Sequence, residues 1–178
     1  KPFEDLDAVV AHLGAGISVV AIRKGRIVDS TNRMEASPFS PERAGGLPPM
    51  PLIDLCYSGR FSKDELKRRL YGQGGVFAYL GTKDMRRVET MIDGGDDKAR
   101  LVWEAMVYQV AKAIGSMAAV LDFRPDAIVL TGGMVHSPRL TRALTDRIGS
   151  FAPVIRYPGS QESEALAAGA ARVLAGTE

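Results

Sequence analysis

The alternation of apolar and polar positions predicts three short strands at the start of the chain. The second and third strands are separated by Lys24-Gly25, a pair of residues that is typical of a hairpin turn. The predicted strands span residues 7–11, 17–23 and 26–29. Because strands joined by tight turns pair side by side, this part of the chain is predicted to form a three-stranded antiparallel meander.

After residue 50 the apolar positions recur every three or four residues, which is typical of helices that bury one side. Ser62 and Glu65 have the spacing of a capping box, and Ser137-Pro138 is a favourable start for a helix. An all-apolar segment at 127–130 is typical of a strand buried on both faces. The predicted helices span 51–56, 62–70, 84–92, 96–121, a segment beginning at Ser137, and 164–174, and a last strand spans 154–157.

This order of elements predicts an α/β fold of the ribonuclease-H-like class, in which a mixed sheet carries helices on both faces. A small helical insertion, about residues 50–95, follows the meander. Met106 and Met117 lie on the apolar stripe of the long helix and are predicted to pack in the core rather than to contact a cofactor. The apolar stripe of the last helix is also predicted to face the core, and it consists of Leu166, Ala170, Val173 and Leu174.

The composition is ordinary for a globular protein, with 46% hydrophobic and 25% charged residues. A net charge of +2 gives no reason to expect nucleic acid or an anionic membrane as a partner. Cys56 is the only cysteine, which excludes an intramolecular disulfide and a cysteine cluster for zinc. No apolar run is long enough to span a bilayer, so we expect a cytoplasmic protein.

The first candidate site is a glycine turn between the first two strands, with the sequence His12-Leu13-Gly14-Ala15-Gly16. Backbone N–H groups in such a turn can form an anion-binding nest, and His12 can donate a hydrogen bond to a phosphoryl oxygen. The alternative is a tight hairpin with a structural histidine. A dinucleotide-binding fingerprint is excluded because a strand, and not a helix, is predicted after the glycines.

The second candidate is the turn Thr131-Gly132-Gly133-Met134, which follows a buried strand and precedes a capped helix. Glycines at this position can accept a purine and a ribose against bare backbone. A plain strand-to-helix turn is the alternative.

The third candidate is Arg43, which lies in a loop stiffened by prolines and glycines at 38–48. Such a loop can hold a guanidinium group where charge develops on a transferring phosphoryl group. The alternative is a surface arginine that pairs with Glu42.

The fourth candidate is the pair Glu162 and Glu164, just at the start of the last predicted helix. Carboxylates there can coordinate Mg²⁺ directly or through water, or they can simply complement the helix N-terminus.

Taken together, these motifs resemble the C-terminal half of the butyrate kinases, in the superfamily of acetate and sugar kinases, Hsp70 and actin. The resemblance covers essentially the whole chain without large gaps. The segments that carry it are 12–18, 38–48, 78–86, 104–112, 127–133, 157–159 and 164–167. The chain departs from its relatives modestly at Ala15 and Ala44, where they more often have glycine and serine.

The resemblance implies an enzyme that uses ATP and Mg²⁺ to phosphorylate a short-chain carboxylic acid such as butyrate, giving an acyl phosphate. It implies that Arg43 stabilises the phosphoryl group in flight and that His12 contributes to catalysis. Phosphate contacts are implied for Gly14, Ala15 and Gly16, adenosine contacts for Asp84, Met85, Arg86, Gly132, Gly133 and Met134, and a metal contact for Glu162 or Glu164.

The resemblance also implies that an N-terminal domain is absent and that the protein forms a dimer or a higher homo-oligomer. We therefore expect this chain alone to bind nucleotide weakly and not to turn over. Two alternatives stay open: another kinase of the superfamily acting on a different acid or a sugar, and a non-catalytic nucleotide-binding or dimerisation module.

Overall fold

The computed structural model describes residues 1–31, 37–159 and 162–176, with the backbone alone for Glu162. Its described strands form one sheet in the order β3-β2-β1-β4-β5. The strands are β1 (Ala8–Leu13), β2 (Ile17–Arg23), β3 (Arg26–Ser30), β4 (Ala127–Gly132) and β5 (Val154–Pro158). The predicted meander is confirmed, because β1, β2 and β3 pair antiparallel in chain order.

The turn between β2 and β3 has the geometry that its two residues predict. Lys24 has φ 49° and Gly25 has φ 71°, so both lie in the left-handed region that suits a two-residue hairpin turn. β3 is the edge strand, and all five of its residues are exposed.

β4 and β5 add to the other side of β1 as parallel strands. The sheet is therefore mixed, with an antiparallel half and a parallel half, and the predicted ribonuclease-H-like layout is confirmed. Since the carboxyl ends of parallel strands lie at one edge of a sheet, the turns after β1 and β4 are neighbours. In open α/β sheets this edge is where ligands bind.

The described helices agree closely with the predicted ones, and one short helix is added. Ser62 and Glu65 form the predicted capping box at the start of α2, and Ser137 caps α6 by accepting a hydrogen bond from the Leu140 amide. The helices are α1 (Pro49–Tyr57), α2 (Lys63–Leu70), α3 (Gly75–Leu80), α4 (Met85–Asp93), α5 (Asp97–Val120), α6 (Pro138–Ile148) and α7 (Glu162–Leu174).

The core lies between one face of the sheet and α5, which packs across β1 and β2. The alternate residues of β1 that face α5, Val9, Ala11 and Leu13, are fully buried. Met106 and Met117 belong to the same core, as predicted. The side chains on the opposite face of β1, β2 and β4 are only half-buried. This face is therefore covered less completely than expected from the prediction that helices pack on both faces.

The prediction that the α7 stripe faces the core is wrong. Leu166 is 75% exposed and Leu174 is 88% exposed, and Ala170 and Val173 are exposed as well. An apolar stripe at helical spacing shows that a helix can be buried on one side, but it does not say which surface covers it. None of the described helices, α7 included, is both long enough and apolar enough to cross a membrane.

Candidate active site

An open cleft of about 760 Å³ lies at the carboxyl ends of β1 and β4. Its volume is in the range of small-molecule and cofactor sites. The cleft brings together seven of the residues that the sequence predicted for the nucleotide: Gly14, Ala15, Asp84, Met85, Arg86, Gly133 and Met134. These residues come from three distant segments of the chain, and only the fold makes them neighbours.

The glycine turn after β1 forms one end of the cleft. The Gly14 amide donates a hydrogen bond to the Gly16 carbonyl oxygen at 3.0 Å, which closes the turn. The prediction that three consecutive amides bind an anion is therefore wrong for Gly14, because its N–H is used within the hairpin. The amides of Ala15 and Gly16 stay candidate donors to a phosphate. The half-buried His12 packs its imidazole against Gly14 at the end of β1.

Arg43 lies directly over this turn. A Cβ atom added to Gly16 would overlap the Arg43 guanidinium group, so the glycine is what lets the side chain approach the backbone. On its outer side the guanidinium stacks on Tyr71, with Cζ 4.5 Å from the centre of the ring. Its Nη2 donates a hydrogen bond to the Tyr71 hydroxyl at 2.8 Å. The alternative pairing with Glu42 is wrong, because Glu42 accepts from Lys83 Nζ at 2.9 Å.

Ser40 connects the arginine loop to the glycine turn, a role that no sequence pattern indicated. Its hydroxyl is completely buried. The hydroxyl donates to the Ala15 carbonyl oxygen at 2.7 Å and accepts from the Arg43 amide at 3.1 Å. A single small side chain thereby fixes the distance between Arg43 and the turn that it covers.

The turn after β4 forms the other end of the cleft. Gly132 has φ 98°, and a Cβ atom there would meet the backbone of Leu13 at 2.5 to 2.8 Å. At Gly133, by contrast, no described atom lies within 4 Å of an added Cβ. Gly132 therefore serves the packing of β4 against β1, whereas Gly133 leaves open space on the side of the cleft. Met134 is half-buried and follows in a 3-10 helix, Gly133–His136.

The segment before α4 contributes a preformed ion pair to the rim. Asp84 caps α4 by accepting from the Arg86 amide at 3.0 Å. Its two carboxylate oxygens also accept from Arg86 Nε and Nη2, each at 3.1 Å. These hydrogen bonds hold the pKa of Asp84 below its ordinary value. Arg86 is thus oriented beside the cleft even though its side chain is exposed.

Several residues of the cleft wall were missed; Met106, for example, was assigned only to the core, and Ser137 only to helix capping. Trp103 and Met106 are buried core residues of α5 whose side chains also line the cleft. Leu140 adds a third apolar side chain. On the polar side, the Ser137 hydroxyl donates to Glu89 Oε1 at 2.6 Å. A helical stripe identifies these apolar positions, but it does not reveal that a cavity reaches them.

The predicted metal ligands lie at the start of α7. Glu164 is exposed, and the side chain of Glu162 lies outside the described part of the structure. Within that part, no group of three or more His, Cys, Asp or Glu residues could hold a metal ion. Mg²⁺ in nucleotide sites needs only one or two protein carboxylates beside the phosphates, so one glutamate fits this chemistry. The assignment of Glu162 or Glu164 stays a prediction.

Comparison with known proteins identifies the family. The model of the acetokinase family matches residues 1–148. The chain belongs to the acetokinase family. It is 51% identical over 175 residues to probable butyrate kinase 2 of Caldanaerobacter subterraneus subsp. tengcongensis, covering 98% of this chain and 49% of that protein. It is 48% identical to the probable butyrate kinase of Bacteroides thetaiotaomicron, covering 98% of this chain and 50% of that protein.

The solved structures of two acetate kinases have the same fold. The acetate kinase of Entamoeba histolytica superposes with a TM-score of 0.82 at 18% identity, over 95% of this chain and 52% of that one. The acetate kinase of Porphyromonas gingivalis gives 0.81 at 20% identity, over 89% and 47%. The actin-like ATPase fold predicted from the resemblance is confirmed. The chain spans about half the length of the curated relatives it matches, and its assignment to their C-terminal half stays a prediction.

Proposed function

We propose that this chain supplies the nucleotide-binding half of a kinase that transfers the γ-phosphoryl group of ATP to a short-chain carboxylate such as butyrate. The observation that carries the proposal is the cleft itself. It joins a glycine turn covered by an arginine to a second, open glycine turn and a preformed ion pair. The membership in the acetokinase family and the names of the two butyrate kinase relatives support the same reaction.

The proposed transfer is a direct, in-line displacement. A carboxylate oxygen of the acid attacks the γ-phosphorus, a P–O bond forms, and the bond to the bridging oxygen of ADP breaks. The products are an acyl phosphate and ADP. Positioning and charge neutralisation supply most of the catalysis in such reactions. These are the two things that a stacked arginine over a tight backbone turn can provide.

The role of Arg43 is to stabilise negative charge on the phosphoryl oxygens in the transition state. Its guanidinium is permanently charged and is oriented before any ligand arrives, so little reorganisation is needed during the reaction. The amides of Ala15 and Gly16 and the imidazole of His12 are proposed to bind phosphate oxygens at the same end of the cleft. Bound Mg²⁺ supplies further neutralisation of the phosphate charge.

The adenosine is proposed to lie at the other end, against Gly133 and Met134. The space beside Gly133 is open, which leaves the backbone of the turn accessible to a purine and a ribose. Trp103, Met106 and Leu140 give the cleft an apolar wall. Asp84 and Arg86 provide polar groups on the rim, which suits the hydroxyls of the sugar.

The test uses the full-length protein that carries this chain, with ATP, Mg²⁺ and butyrate. Hydroxylamine traps an acyl phosphate as a hydroxamate, and we expect hydroxamate together with an equal amount of ADP. Acetate and propionate replace butyrate in parallel reactions to define the acid, and glucose tests for a sugar kinase. The 178-residue chain alone is expected to bind ATP weakly and to give no hydroxamate.

The variant Arg43→Ala tests whether Arg43 is needed for turnover. We expect kcat to fall by about 100-fold to 1000-fold, as on loss of one preorganised charge-stabilising donor, with the Kd for ATP little changed. Arg26→Ala, on the exposed edge strand β3, is the matched control and leaves kcat within about twofold. ATP binding without hydroxamate from the full-length wild type would instead favour a non-catalytic nucleotide-binding or dimerisation module.

A further inference from the structure

The guanidinium of Arg43 is held by an aromatic residue from outside the motifs that identified the site. Tyr71 follows α2 in the helical insertion, 28 residues further along the chain. Its ring lies under Cζ of Arg43 at 4.5 Å and its hydroxyl accepts from Nη2 at 2.8 Å. A stacking contact and a hydrogen bond together fix both the plane and the rotation of the guanidinium.

The backbone around this pair is also joined. Arg43 and Tyr71 form an isolated antiparallel bridge. The flanking amides complete it, because the Ala44 N–H donates to the Leu70 carbonyl at 2.9 Å and the Gly72 N–H donates to the Glu42 carbonyl at 2.8 Å. Main-chain hydrogen bonds therefore fix the position of Tyr71 relative to Arg43, and the tyrosine side chain starts close to the guanidinium that it contacts.

One donor of Arg43 has no hydrogen-bond partner among the residues that the structure describes. The Nε atom is buried, and among the described residues nothing accepts its hydrogen bond. A buried unpaired N–H is unfavourable, so the side chain would leave this position unless other contacts held it. The stacking on Tyr71 and the close fit over Gly16 are the contacts that do so.

We propose that Tyr71 is a positioning residue that keeps the Arg43 guanidinium over the phosphate end of the cleft before ATP binds. The inference rests on the proposed function and adds a residue to it. Tyr71 touches Arg43 and acts through it, so its loss slows transfer only as far as Arg43 becomes misplaced. The helical insertion thereby contributes to the reaction through one side chain.

The test is a double-mutant cycle in the full-length protein, with the hydroxamate assay as readout. Tyr71→Ala removes the ring and the hydroxyl, and we expect kcat to fall about tenfold with the KM for ATP unchanged. Tyr71→Phe keeps the ring and loses the hydrogen bond, so its kcat falls about threefold. Tyr57→Ala, which removes an 88% exposed tyrosine of α1, is the matched control and leaves kcat unchanged.

The decisive comparison is the double variant. If Tyr71 acts through Arg43, Arg43→Ala/Tyr71→Ala has the same kcat as Arg43→Ala alone. Independent effects that multiply, or a wild-type kcat in Tyr71→Ala, would overturn the positioning role while the kinase activity stands. A wild type that forms no acyl phosphate would instead refute the proposed function, and the positioning role with it.

Discussion

Gly16 and Gly132 lie at the same edge of the sheet, yet the space that each leaves open is used differently. Beside Gly16 the space is filled by the end of the Arg43 side chain, a charged and movable group. Beside Gly132 it is filled by the backbone of Leu13, which belongs to β1 and cannot move without disturbing the sheet. The first glycine therefore makes room for the arginine to which we assign a catalytic role, and the second makes room for a neighbouring strand of the sheet.

The largest expected effect is on stability, at Gly132. Gly132→Ala places a Cβ atom against backbone atoms of Leu13 at a residue with φ 98°. We expect the free energy of unfolding to fall by about 3 kcal/mol, since both a strained φ and a backbone overlap act at one position. Urea denaturation measures the loss. An unchanged midpoint would show that β1 and β4 adapt freely, and the distinction between the two glycines would fail.

The neighbouring glycine provides the matched control for this measurement. Gly133→Ala adds the same methyl group where no described atom lies within 4 Å. We expect the unfolding free energy to stay within about 0.5 kcal/mol of the wild type. The two variants therefore separate a glycine required by packing from a glycine that borders open space in the cleft.

The next effect is on turnover, at Gly16. Gly16→Ala displaces the Arg43 guanidinium, which is the far end of a flexible side chain, so the fold survives. We expect kcat to fall by roughly thirtyfold, about 2 kcal/mol of transition-state stabilisation, with the urea midpoint nearly unchanged. Steady-state kinetics and denaturation are measured on the same preparation. A large loss of stability with normal kcat would reverse the roles that we assign to Gly16 and Gly132.

The sequence predicts well what depends on neighbouring residues along the chain. The meander, its Lys24-Gly25 turn and the capping box at Ser62 follow from alternation, turn chemistry and local hydrogen bonds. The two glycine turns were also found in this way. What the sequence cannot supply is the contact between segments that the fold brings together, such as Ser40 with Ala15 or Tyr71 with Arg43.

The error at α7 has the same physical origin. An amphipathic pattern reports that one side of a helix is apolar, which is a local property. Whether that side is covered depends on the surface opposite it, and the described part of this chain leaves Leu166 and Leu174 exposed. The amide of Gly14 illustrates the point on a smaller scale, because a hydrogen bond inside the turn occupies a donor that the sequence alone assigned to a ligand.

A smaller effect is expected on nucleotide affinity, at the open glycine. Gly133→Ala fills part of the space proposed for the purine and ribose, so we expect the Kd for ATP to rise about fivefold, roughly 1 kcal/mol. Isothermal titration of the full-length protein measures it, and kcat at saturating ATP changes little. An unchanged Kd would show that the adenosine does not lie against this turn. Of Gly16, Gly132 and Gly133, Gly16 alone would then keep a proposed role towards the ligand.

The smallest effect concerns the ion pair between Asp84 and Arg86 on the rim of the cleft, and this effect depends on pH. The hydrogen bonds from Arg86 lower the pKa of Asp84 in the folded protein, so its contribution to stability is present above the unfolded value and is lost as the pH falls through the lower folded value. Asp84→Asn should therefore lower Tm slightly at pH 6, and this difference from the wild type should shrink towards low pH, as the carboxyl of the wild type becomes protonated on passing through its lowered pKa. Arg86→Ala removes the partner of Asp84, so Asp84→Asn should lower Tm less in an Arg86→Ala background than in the wild type. A difference in Tm between wild type and Asp84→Asn that stays the same at low pH would mean that the ion pair does not act through its charge. The two ends of the cleft would then be distinguished by their glycines alone.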